Sequence, residues 1–289
     1  MSRTVLAIDI GGTKLATAVV DQDGQIRAQR KVPIARESLA ATVEQIRCEA
    51  AELAPSPSAA GVIVPGIYRA RDGTAWAPNL WGDRYVDLKS ALSEALPMPT
   101  RIDSDRAGYV LGEQWLGAAR GASDVVFLAV GTGIGAGILS GGRLIRGAQD
   151  IAGAAGWFAL QPDYKPAYRD CGCWEAEASG PALARRAGMA SAEQVIEAAR
   201  QGNEPARAAF AETVRYLAMG IANLISVLNP QKVILGGGLM QAGDLFLEPI
   251  RAAVPQWAQP YSARHVSIEL SALGESAGLL GAARLALDS

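Results

Sequence analysis

Three glycine-rich stretches, each directly after an apolar run, constrain this chain more than any other feature. They are "VLAIDIGGTKLATAVVDQDG" near the start, "LAVGTGIGAGILSGG" in mid-chain and "VILGGGL" near the end. A strand that runs into glycine can reverse tightly, because glycine tolerates backbone angles that other residues avoid. Asp9 is the anomaly in the first stretch, a carboxylate among aliphatics whose burial is costly unless it has a partner or a task.

The pattern around these turns predicts strands at 5–10, 16–20 and 25–32, with "DQDG" turning the second into the third. A helix is expected over 38–53, with Leu39, Val43, Ile46 and Ala50 on one face, ended by "PSPS". Strands are expected at 60–64 and 100–102, a hairpin turn at Asp72-Gly73, a loop at "APNLWGD" and a helix over 107–118. Residues 125–130 and 135–139 read as a second hairpin turning at "SGG". The stretch 179–229 reads as mostly helical, broken at Gly202-Asn203. A strand at 233–235, a helix at 245–254, a strand at 266–270 and a helix at 276–287 close the chain. The two hairpins share one plan, an apolar strand, a glycine turn, a second strand and a polar turn. They imply an internal duplication: an α/β fold of two related domains with mixed sheets and a cleft between them.

Composition narrows the function. The formal net charge is −2 and no basic run stands out, which argues against nucleic acid as a partner. Cys48, Cys171 and Cys173 have no framework spacing, and the start "MSRTVLAID" lacks signal-peptide architecture. No apolar run is long enough for a membrane span, so a cytoplasmic protein is expected. The sole histidine is His265, which makes histidine catalysis elsewhere a poor expectation.

Glycine turns at strand ends let an anion approach bare backbone. In "DIGGTK", Gly11 and Gly12 offer backbone, Thr13 a hydroxyl and Lys14 a charge, while Asp9 is placed to hold Mg²⁺ directly or through water. Gly131, Thr132 and Gly133 offer a second phosphate cradle, and Gly236, Gly237 and Gly238 would let a flat ring lie on bare backbone. "DIGGTK" lacks the P-loop spacing, and "VGTGIG" leads into a strand where a dinucleotide fingerprint needs a helix. Each turn alone is an ordinary hairpin turn; the three together point to a nucleotide. In "RIDSDRAGYVLGE", Asp103 and Asp105 lie where strand gives way to helix. A carboxylate there would accept a proton from a substrate hydroxyl attacking a γ-phosphorus; the alternative is helix capping by Ser104 or Asp105.

Together these segments resemble the ROK family of sugar kinases and sugar-responsive repressors, within the actin-like ATPase superfamily. "LAIDIGGTKLATAVVDQDG" is similar to the family's first phosphate motif, "VGTGIGAGILSGGRLIRGAQDIAG" to its signature, "NPQKVILGGGL" to its adenosine segment and "ESAGLLGAARLAL" to its closing helix. "VPGIYRARDGTAWAPNLWG" is similar to its sugar loop, which implies that Gly66 and Asn79 contact sugar. "DSDRAGYVLGE" matches E-N-D-A-N-A-A-A-L-G-E, with Ser104 for the usual Asn, and selects Asp105 as the base. The resemblance implies two actin-like ATPase (ribonuclease H-like) domains, one at 1–113 plus 276–289 and one at 114–275. It implies an ATP- and Mg²⁺-dependent transfer of the γ-phosphoryl group to the 6-hydroxyl of a hexose or modified hexose, by a glucokinase-like homodimer. Asp9 lies too near the start for a preceding helix-turn-helix, so the repressor branch is not expected; a non-catalytic sugar sensor is the rival reading.

Two motifs depart from the family pattern. A-G-E-x-G-H reads "AGAAGW" here, so Ala154 and Trp157 replace a Glu and a zinc-binding His that, in the family, read sugar hydroxyls near the anomeric carbon. In the zinc knuckle C-x-C-G-x-x-G-C-x-E, Pro166 and Tyr168 stand for two cysteines, Cys173 keeps a ligand place, Cys171 does not, and the sugar-contacting Glu175 survives. No zinc is expected. Apolar packing of Trp157, Tyr168 and Trp174 is expected to hold the loop, with Trp157 either lining the sugar pocket or filling the knuckle's space.

Overall fold

A computed structural model describes residues 3–53 and 57–288. The chain divides into two compact units, one of Met1–Gly121, Arg146–Ala152 and Glu275–Ser289, the other of Ala122–Ile145 and Gly153–Gly274.

In the first unit, β1 (Thr4–Ile10), β2 (Lys14–Asp21) and β3 (Ile26–Pro33) run antiparallel. The turn into β3 is held by Asp21, whose carboxylate accepts from Asp23 N, Gln25 N and Arg27. Helix α1 (Leu39–Glu52) starts at Ser38, whose hydroxyl accepts from Ala41 N, and buries Val43 and Ile46 as their spacing requires. The helix stop expected at "PSPS" falls partly on residues 55 and 56, outside the described residues. β4 (Ala60–Val64), buried throughout, pairs parallel with β1. A small antiparallel sheet follows, with β5 (Ile67–Arg69), β6 (Thr74–Trp76), the short helix α2 (Pro78–Trp81) and β7 (Tyr85–Asp87). The segment "APNLWGD", expected as a loop, is therefore partly helical: Pro78 opens a turn that Leu80 and Trp81 anchor in the core. After α3 (Leu88–Ala95), β8 (Thr100–Ser104) pairs parallel with β4 and runs straight into α4 (Asp105–Leu116). The sheet order is β3-β2-β1-β4-β8. The helix expected from 107 begins at Asp105, because Ser104 caps it through Ala107 N.

The second unit repeats the plan with β9 (Val125–Val130), β10 (Ile134–Ser140) and β11 (Arg143–Leu144). There follow α5 (Tyr168–Cys171), α6 (Cys173–Ala178), α7 (Gly180–Ala187), α8 (Ala192–Arg200) and the long α9 (Glu204–Leu228). Asn203, in the expected break at Gly202-Asn203, caps α9. β12 (Lys232–Gly236), α10 (Gly243–Ala253), α11 (Pro260–His265) and β13 (Ser267–Leu270) complete the unit. Its sheet order is β11-β10-β9-β12-β13. Strand sense matches position by position: the first three strands are antiparallel and the last two are parallel to the strand before them. Val126, Leu128 and Val130 of β9 join Leu217, Ile221 and Ile225 of α9 in one core.

The chain then returns to the first unit as α12 (Ala277–Leu287), which packs on α4. Only glycine lets these helices approach so closely: a Cβ on Gly281 would lie 1.8 Å from Gly108 O, and one on Gly112 2.4 Å from Ala277 O. This contact fixes the start of α12 against Asp9. No helix among the described residues is long and apolar enough to cross a membrane.

Candidate active site

Asp9 is the last residue but one of β1, with its carboxylate against the first turn of α12; a Cβ on Gly278 would stand 2.2 Å from its Oδ2. It lines a pocket of about 280 Å³ with Thr13, Lys14, Lys31, Tyr109 and Glu275. Burial, and after it the charge of Asp105, raise its pKa to about 7 against the opposing charge of Lys31. Gly11 N donates to Lys14 O at 2.9 Å, so its N–H closes the turn and is not offered to a ligand. Gly12, Thr13 and Lys14 are exposed.

The two carboxylates at the β8–α4 junction have separate fates. Asp103 is buried, and both its oxygens are taken: Oδ1 by Ser104 N at 2.8 Å, Oδ2 by Arg146 Nε at 2.9 Å and Nη2 at 2.6 Å. Asp105 sits at the first position of α4 with Oδ1 accepting from Arg106 N at 2.7 Å. Burial raises its pKa to about 6, only partly offset by Arg106. A carboxyl poised near neutrality suits proton transfer, whereas one with an oxygen held by two guanidinium N–H donors does not. The capping role belongs to Ser104.

The expected sugar loop is tied to this junction by backbone: Arg106 Nη2 donates to Gly66 O at 3.1 Å. Gly66 has φ +87° and lies where a Cβ would meet Trp76 O at 2.2 Å, so its identity follows from the turn itself. Asn79 is exposed on α2, between Pro78 and the buried Leu80.

In the second unit the other two glycine runs meet. Gly131 N closes its turn onto Gly133 O at 2.9 Å, and Gly131 O accepts from Gly180 N at the start of α7. Gly238 N lies 3.4 Å from where a Gly131 Cβ would be, while a Cβ on Gly236 would strike the Phe127 ring at 2.4 Å. Gly237, at φ +89°, packs on Val130 backbone. Thr132 is exposed. Glu175 is part of this construction: its Oε2 accepts from Ile134 N at 2.7 Å, and a Cβ on Gly133 would stand 2.7 Å from that oxygen. Burial raises its pKa, with the Ile134 N–H opposing.

The segment that departs from the zinc knuckle is held differently from expectation. Trp174 is fully buried and stacks on Phe158 at 5.7 Å, and Tyr168 is buried, but Trp157 is 57% exposed. Trp157 is therefore not among the residues that pack the loop, although its backbone is close to Gly172, where a Cβ would stand 2.6 Å from the Trp157 Cα. The inner fastening is polar and was not anticipated. The nearly buried Glu177 accepts from Tyr168 Oη at 2.5 Å, Lys165 Nζ at 2.6 Å and Arg186 Nη2 at 3.0 Å. Burial pushes Glu177 up, but these partners outweigh it and hold its pKa below the usual carboxylate range. Cys173 Sγ accepts from Leu160 N, and Cys171 is half-buried.

Comparison with known proteins places this arrangement. A glucokinase from Streptomyces coelicolor is 33% identical, over 98% of this chain and 97% of its own length. An N-acetylmannosamine kinase from Escherichia fergusonii is 34% identical, over 98% of both chains. The crystal structure of a ROK family glucokinase from Streptomyces griseus, in complex with glucose and AMPPNP, superposes with a TM-score of 0.84 at 32% identity, covering 99% of this chain and all of that one. The fold is thus the two-domain actin-like ATPase fold. The ROK family model matches residues 5–289, and the chain belongs to that family.

Proposed function

We propose that this protein is an ATP-dependent sugar kinase that phosphorylates the 6-hydroxyl of a hexose or modified hexose. One observation carries the reading: of two neighbouring carboxylates at the β8–α4 junction, Arg146 occupies Asp103 while burial leaves Asp105 as a base with a pKa of about 6. The sugar kinases among its relatives, alike over nearly the whole chain, support it.

In the proposed reaction Asp105 accepts the proton of the sugar hydroxyl as its oxygen bonds to the γ-phosphorus, and the bond to the β-bridging oxygen breaks to release ADP. The turn of Gly12 and Thr13 and that of Thr132 and Gly133 hold phosphate oxygens by backbone N–H and hydroxyl, with Lys14 adding charge. Gly11 and Gly131 keep those turns closed, and Gly236–Gly238 carry the adenine ring. Asn79, Glu175 and the Gly66 backbone read the sugar. Asp9 fits a divalent cation, since its buried carboxylate is destabilised by the nearby Asp105 charge. Bound Mg²⁺ supplies charge neutralisation on the phosphates.

The exposed Trp157 and the small Ala154 replace polar sugar readers with an apolar ring and a gap. An apolar wall discriminates weakly, by about 1–3 kcal/mol, so selection near C1 and C2 is relaxed. A coupled ADP-release assay over glucose, 2-deoxyglucose, glucosamine, N-acetylmannosamine and a methyl glucoside tests both statements. Turnover on at least one, with glucose no more than about a hundredfold ahead of all the others, is the expected result. Sugar binding without ADP release on any would leave a non-catalytic sugar sensor.

A further inference from the structure

The face of the first sheet that carries Asp9 also carries charges to which the reaction above gives no task. Asp9 of β1 lies opposite Ala16 of β2, and Ala16 lies opposite Lys31 of β3, so the three form a row across the strands. Strand alternation puts Gln29 beside Lys31 on this face and sends Arg30 to the other, where it pairs with Glu49 of α1. The methyl of Ala16 leaves the middle of the row open, and the pocket beside the first phosphate turn extends over it as far as Lys31. There Lys31 Nζ meets Glu275 Oε2 at 2.6 Å. Glu275 stands at the point where the chain re-enters this unit, directly before α12.

The charge balance of this pocket is informative. Two carboxyl groups, Asp9 and Glu275, share this lining with two ammonium groups, Lys14 and Lys31, and the ion pair among them is Lys31 with Glu275. An exposed pair such as Lys31–Glu275, with side chains 38% and 74% accessible, contributes little net stability and exchanges readily. A polyphosphate chain arriving at the first turn offers Lys31 a more highly charged acceptor than one carboxylate. It would leave Glu275 to turn to water and the pocket net positive toward the ligand.

We propose that Lys31 is a phosphate-binding residue of this site, exchanging Glu275 for the terminal phosphate oxygens of the donor nucleotide. Lys31 would then be a second ammonium at the first turn, reaching from the sheet edge where Lys14 reaches from the turn itself. The inference rests on the reading of the protein as an ATP-dependent kinase.

Calorimetric titration of the full chain in Mg²⁺ with a non-hydrolysable ATP analogue, ADP and AMP tests it. Lys31→Met weakens the triphosphate by at least about tenfold and ADP by less, and leaves AMP unchanged, because a charge-assisted contact is lost only with the outer phosphates. Lys31→Arg restores most of that affinity, and Glu275→Gln does not weaken the triphosphate. Equal weakening of all three nucleotides by Lys31→Met would assign Lys31 a structural role and overturn the proposal, as would a triphosphate affinity within about twofold of wild type. Wild-type protein that binds no nucleotide would remove the kinase reading and this inference together. Wild type and Lys31→Met binding equally well would remove the inference alone.

Discussion

The turn after β1 and the turn after β9 stand at the same place in sheets of the same order and strand sense, yet they are equipped differently. Both close through the N–H of their first glycine, Gly11 onto Lys14 O and Gly131 onto Gly133 O, each at 2.9 Å. Two residues before Gly11 stands Asp9; two residues before Gly131 stands Ala129. Lys14, Lys31 and Glu275 share a pocket with the first turn, and Asp105 is near enough for its charge to act on Asp9. The second turn is surrounded by glycine backbone, and Glu175, the carboxylate that touches it, already accepts from Ile134 N. The same sheet plan thus carries different side chains: charged groups gather beside the first turn, and bare backbone surrounds the second.

The comparison breaks most sharply at Asp105. If the first unit holds the proton acceptor, Asp105→Asn lowers kcat by about 10²–10⁴ and leaves nucleotide and sugar affinity within about threefold. A variant retaining more than a third of wild-type turnover would put the base elsewhere. The pH profile gives a second reading of the same residue. The base acts as the anion, so kcat/KM falls as pH drops through about 6, the value to which burial raises Asp105. If Asp9 receives the metal, the acid limb steepens toward two protons with Mg²⁺ below saturation, because Asp9, raised to about 7, must then ionise as well. A profile flat down to about pH 5 would contradict both assignments.

A smaller effect tests the other side. Glu175→Gln keeps an oxygen for the Ile134 N–H and should leave the second turn folded. If Glu175 also reads sugar, its KM for sugar rises by about tenfold, the worth of one charge-assisted hydrogen bond, while KM for ATP moves by less than about twofold. A rise in KM for ATP with sugar unaffected would mean that Glu175 serves the nucleotide turn alone.

How much of this was legible in the sequence depends on the reach of each interaction. The two hairpins were readable because apolar runs bounded by glycine and polar turns carry the whole signal within about twenty residues. The hairpin turn at Asp72-Gly73 was also readable, but the bounds of the three-residue strands around 67–87 and the helix at Pro78 were not, since so short an element has no period to detect. Spacing left Asp103 and Asp105 equivalent; the partner that separates them, Arg146, is 43 positions away. Glu177 was overlooked because its meaning lies in Lys165, Tyr168 and Arg186, scattered polar residues that form no motif. Trp157 was expected to pack because it is large and apolar, but its ring is 57% exposed, and size alone does not say which way a side chain turns. Lys31 and Glu275, 244 positions apart, meet only through the return of the last helix.

The remaining prediction concerns stability, and it separates the two turns without any assay of activity. Asp9 has its pKa raised from 3.8 to about 7 by burial and by Asp105. Between those values the folded chain holds a proton that the unfolded chain has released, so this residue makes the metal-free protein less stable as pH rises from about 4 to about 7, with no further change above. Asp9→Asn removes the titration. Its melting temperature should therefore gain on wild type across that window, with the widest gap near pH 8 and the narrowest near pH 4. The second turn has Ala129 in the matching place, so Ala129→Ser, a polar change without a charge, should shift stability by the same amount at both pH values. Saturating Mg²⁺ with ADP should close the Asp9→Asn gap at pH 8 by stabilising wild type more than the variant, since a cation supplies what the buried carboxylate lacks. A gap that is constant with pH would mean that Asp9 is ionised in the folded protein at every pH tested. The first turn would then hold its charge without a metal, and the contrast between the two turns would rest on sugar and nucleotide contacts alone.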